Sequence, residues 1–185
     1  MKYFIPTALG TVILSAAVAA NVSAEPLPPG QVDFGTFTPP GSGGEFVEVN
    51  VTSSIISLAA HFLEKNEPEI AKVLNGLQLV HVNVIGVNEE NKEDLENKAQ
   101  KIRKQLDGHG WERVVMAQQQ EQHVAVYLKT ENKDTVQGIV VTVMDGGKQA
   151  VFVNVVGNIK PEQLSLIGER LNIEPLKKIG HSAEK

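Results

Sequence analysis

Cysteine is absent from the 185 residues. That removes disulfides, thiolate metal ligands, cysteine nucleophiles and a lipidated cysteine anchor together. A basic excess is also missing: 17 Lys plus Arg stand against 22 Asp plus Glu, a net charge of −5. Nucleic-acid binding normally needs a basic face, so no nucleic-acid partner is expected. Catalytic signatures are missing as well. There is no G-x-S-x-G turn for a serine nucleophile and no H-E-x-x-H or H-x-x-x-H spacing for a metal. Gly41-Ser42-Gly43-Gly44 lacks the lysine of a phosphate-binding loop, and Asp145-Gly146-Gly147 lacks the spaced acids of a calcium loop. No catalytic residue, cofactor or metal is therefore expected.

What is present specifies an address and a fold. Met1-Lys2 is followed by a mostly apolar, uncharged run from Tyr3 to Ala20, then by Val22-Ser23-Ala24 with small residues before Glu25. This is the pattern of a secretory signal peptide cleaved between Ala24 and Glu25. No later run is long enough to span a bilayer. A periplasmic or secreted product is expected, and a cysteine-free chain suits an oxidising compartment.

Residues 25–44 form a Pro/Gly-rich segment that reads as a flexible leader, with Phe34 and Phe37 as its aromatics. Residues 45–173 form a single domain, and 174–185 a polar tail. A 42% hydrophobic share is enough for a core. Phe46–Val51 reads as a strand. A helix follows with Ile55, Leu58, Ala59, Phe62 and Leu63 on one face, and Pro68 opens another. Leu77–Val87 alternates as a strand. The clearest helix carries Leu95, Ala99, Ile102 and Leu106 in register, with acids crowding its start and bases its end, matching the dipole. Four strands with short turns then run from Trp111 to Gly157, before a last helix opened by Pro161. The expected architecture is α+β, β-α-α-β-α-β-β-β-β-α. It is an antiparallel sheet with helices on one face, loosely a ferredoxin-like sandwich. Val80–Gly86 also echoes Val151–Gly157.

Gly110-Trp111-Glu112-Arg113-Val114-Val115, Val124-Ala125-Val126-Tyr127-Leu128-Lys129 and Val151–Ile159 come in an order and spacing that resembles the bacterial family called domain of unknown function 4252. The signal peptide and the acidic-to-basic helix before Trp111 fit it too. The resemblance spans about residues 45–173. One departure is Lys160, where members often carry Asp ahead of the Pro161-like residue. The resemblance implies an exported bacterial α+β domain with no established reaction, so it transfers no catalytic residues.

Alternation places His81, Asn83, His123 and Tyr127 away from a helix-covered face, with Phe152 sharing their side. The last two strands are apolar on both faces. A covering partner, a second copy or the Phe34/Phe37 leader would satisfy that surplus. The expected function is a non-enzymatic exported module that binds an envelope protein or itself through this sheet face. A periplasmic small-molecule or metal-binding protein is the alternative, with His81, His123 and a carboxylate as its metal candidates. A hydrolase-like enzyme ranks third. N-terminal sequencing of exported material should begin at Glu25; an intact Met1 would contradict the signal-peptide reading.

Overall fold

In the computed structural model the described residues are 27–41, 43–160 and 163–170. The elements, in chain order, are β1 (Phe46–Thr52), α1 (Ser53–Leu63), α2 (Pro68–Gly76), β2 (Leu77–Gly86), α3 (Lys92–Asp107), β3 (Glu112–Gln119), β4 (Gln122–Asn132), β5 (Thr135–Asp145), β6 (Gln149–Ile159) and α4 (Leu164–Arg170). The strands make one six-stranded antiparallel sheet in the order β1-β2-β6-β5-β4-β3. The fold is α+β. Short turns join β3 through β6 into a meander, and β2 pairs with β6 to bring the N-terminal half alongside.

Register sorts the side chains into two apolar faces. One face carries rows such as Val49–Val82–Val153–Val141–Val126–Val115, which run across all six strands. Val73 of α2 and Leu164 of α4 pack there. The other face carries Ala125, Tyr127, Val140, Met144, Ala150 and Phe152 beneath the buried α3 stripe Leu95, Ala99, Ile102 and Leu106. Helices therefore cover both faces, which corrects the expectation of helices on one face. The reason is composition. β4, β5 and β6 are apolar on both sides, so each face takes helix cover over part of its length.

The Pro/Gly-rich segment does not behave as a flexible leader either. Val32, Phe34 and Phe37 are buried in the same cluster as α3. Phe34 lies over His81 and Phe152, with ring centroids 5.9 and 6.0 Å away, and Phe37 is 4.8 Å from Phe152. Lys98 of α3 reaches across, donating to the Thr36 carbonyl with its ammonium 3.8 Å from the Phe37 centroid. The echo seen in sequence lands here. Val80–Val84 and Val151–Val155 pair about a centre at Val82↔Val153, so His81 faces Asn154 and Asn83 faces Phe152. The leader seats on that centre.

Asn154 holds it. The side chain is fully buried, yet its carbonyl accepts from the Val32 N–H at 2.9 Å, and its amide donates to the Gly30 carbonyl at 2.9 Å and the Ile139 carbonyl at 3.1 Å. Gly30 and Gly138 let the two backbones meet. A Cβ on Gly138 would lie 2.5 Å from Gly30 Cα, and Gly30 itself has φ +84°. Asn154→Ala deletes three buried hydrogen bonds and orphans leader groups, a cost of about 2–4 kcal/mol. It should lower the melting temperature and open residues 27–41 to proteases. An unchanged melt with slow cleavage would contradict the clamp.

Candidate functional site

The residues expected on an open sheet face do share one side of the sheet, but that face is closed. Tyr127 and Phe152 are both 0% exposed, and Asn83 is buried. Phe152 lies under Phe34 and Phe37, and Tyr127 belongs to the cluster beneath α3. Asn83 Nδ2 is 3.0 Å from His81 Nε2, which is 3.6 Å from a Glu48 carboxylate oxygen. His123 is half-buried beside α3. Their shared side of the sheet is as expected; its solvent exposure is not. The Phe34/Phe37 segment and α3 are what cover it. Ala24 and Glu25 lie outside the described residues.

His81 and His123 do not combine into a metal site. They sit on β2 and β4 with β6 and β5 between, three strand spacings or about 14 Å. Among the described residues no group of three or more His, Cys, Asp or Glu could hold a metal ion. His61 and His109 make local contacts, to Glu64 at 3.5 Å and to the Gln105 carbonyl at 2.6 Å.

Beneath α3, Tyr127 lies near half-buried Arg103, a residue the sequence did not single out as a site. Arg103 points from α3 to the sheet, where its Nε donates to Thr142 Oγ1 at 3.3 Å. Its Nη2 is buried without an acceptor, and the buried Tyr127 hydroxyl lies between Arg113 and Asp107. Burial, first, and the Asp107 carboxylate push the Tyr127 phenol up from its ordinary value, with Arg113 pulling against them. Burial likewise lowers Arg103, with the Tyr127 phenol acting in the opposite direction.

Apolar surface is exposed elsewhere, on the side of α2. α1 packs against α2 and touches β1 and β2. Only Ile56 and Ala60 of α1 are buried. The stripe expected to be its core face points to water: Ile55 is 57%, Leu58 53% and Phe62 71% exposed. These residues recur at i, i+3 and i+7, so they form one continuous ridge. α1 has no Asp, Glu, Lys or Arg within it. On the edge strand β1, Val47 and Val49 are also exposed, and the row of Val47 continues through half-buried Val84, Val151, Val143 and Val124. Scattered apolar side chains are ordinary on a surface, but a helix ridge beside an uncovered valine row is not.

A family model described as a domain of unknown function (DUF4252) matches residues 43–167, more than half of the chain. The chain belongs to that family. The DUF4252 match begins just before β1 and ends within α4, so it takes in the whole sheet and leaves out the docked leader. No curated protein and no solved structure matches the chain. No helix among the described residues is long and apolar enough to cross a membrane.

The raised Tyr127 phenol has a pH consequence. A phenol held neutral by the fold contributes stability that is complete below about pH 10 and is lost as pH rises through the folded value. Ultraviolet titration should show Tyr127 ionising later than free tyrosine and together with unfolding. Reversible ionisation near pH 10 with the fold intact would contradict its burial.

Proposed function

We propose that this DUF4252 protein is a non-enzymatic, exported interaction module that works by self-association through the α1 ridge. The observation that carries the reading is the exposure of Ile55, Leu58 and Phe62 on one side of a helix. Burying three such side chains in a partner is worth several kcal/mol. A second copy is the occupant favoured by charge. α1 carries no formal charge except through His61, so two ridges can meet without like-charge repulsion despite a net charge of −5. The half-buried row from Val47 to Val124 extends the same apolar character across the sheet. An envelope protein with its own apolar surface is the other partner of this type.

Export to the periplasm or beyond is part of the proposal, supported by the N-terminal pattern that ends at Ala24. So is the ferredoxin-like label, supported by an antiparallel sheet with a helix crossing one of its faces. The small-molecule alternative is favoured by one observation only, the groove beside Arg103.

Sedimentation of the purified protein should show a concentration-dependent dimer. Leu58→Lys with Phe62→Lys should weaken association at least tenfold, about 1.4 kcal/mol, while the melting temperature of the monomer hardly moves. A wild type that stays monomeric at every concentration would overturn self-association. Equal dimerisation by the variant would move the interface away from α1.

A further inference from the structure

We propose that the groove between α3 and the β4–β5 strands binds an oxyanion, a carboxylate or phosphate group, on Arg103 and His123. The groove has a volume of about 390 Å³. Its wall is the α3 stripe Glu96, Asn97, Gln100 and Arg103, and its floor is His123 of β4 and Met144 of β5. These strand residues are direct neighbours in the β4–β5 register.

Arg103 is half-buried, and a guanidinium partly withdrawn from water is stabilised by an opposite charge. Among the described residues Arg103 has no ion pair, although Arg113, Lys72 and Lys148 each have one. What it has is one long bond to a neutral hydroxyl and a second nitrogen with no acceptor. A trapped water would satisfy the hydrogen bond but not the charge. An oxyanion in the groove supplies the charge, and the planar guanidinium fork matches a carboxylate or phosphate edge.

The rest of the groove suits such a ligand. Asn97, Gln100 and His123 add hydrogen-bonding groups around the anion. Met144 lies on the floor, and Met116 of β3 is exposed on the same face, in the row of Ala125 and Thr142. Apolar substance attached to the anionic group therefore has a place to lie. Glu96 is the one opposing charge. It stands seven residues from Arg103 along α3, about 10 Å, so it orients a ligand rather than cancelling the site. This groove is on the opposite side of the sheet from α2 and is independent of self-association.

The test uses thermal melts of the full chain in sodium phosphate and in sodium acetate against sodium chloride at equal ionic strength. A saturable rise in melting temperature in one or both oxyanion salts is expected, and which salt acts separates phosphate from carboxylate. Arg103→Gln should weaken that response at least tenfold, and His123→Ala should weaken it less. No difference among the three salts would overturn the site, as would a rise that survives in Arg103→Gln. Should Arg103→Gln fail to fold, the wild-type Arg103 side-chain NMR signals decide: they shift on oxyanion titration if the site exists and stay fixed if it does not.

Discussion

A single buried amide ties the two ends of this fold together. Asn154 sits in the middle of β6 with no exposure, and three hydrogen bonds account for its amide. Two of them run to a segment more than a hundred residues earlier. Leaving such a group unpaired in an apolar core costs more than the bonds return. The leader must therefore be seated for the sheet to be satisfied. Once seated, it brings Phe34 and Phe37 over Phe152 and hands Lys98 its carbonyl partner.

That constraint divides the molecule. With leader and α3 in place, one sheet face is closed along most of its length, and the surface left open there is the flank beside Arg103. The other face is covered by α2 and α4 toward one end only. Its row from Val47 to Val124 stays half-exposed and α1 turns its ridge outward. A chain with so few aromatics spends three of its phenylalanines unevenly: Phe34 and Phe37 go into the core, and Phe62 goes to the surface. The surface one is the clearest pointer to a partner.

Much of the fold was legible from residue order. The stripe Leu95, Ala99, Ile102 and Leu106 is buried throughout, and the strands alternate as their valines imply. Periodicity could not choose which face of β4–β6 meets solvent, because Val126 and Tyr127 are both in apolar surroundings and both are buried. The leader was legible only as an option. Five prolines between Glu25 and Pro40 describe a chain unable to form helix or strand, which is true of residues 27–41, yet irregular backbone can still dock. Its partner Asn154 is too distant in sequence to be read from local pattern. α1 failed for the opposite reason. Its ridge has the spacing of a core face, and spacing does not say whether anything covers it. Arg103 looked like one of several bases complementing a helix C-terminus; its half-buried place against Thr142 shows only in three dimensions.

The leader is part of the folded domain, and that is what closes one face and leaves the contacts to the other. Hydrogen–deuterium exchange of the full chain tests it most directly. The Val32 N–H, bonded to buried Asn154, should exchange as slowly as amides of β5 and β6. Exchange of Val32 at the rate of free coil, with the strands still protected, would show that the leader is undocked and would contradict the account.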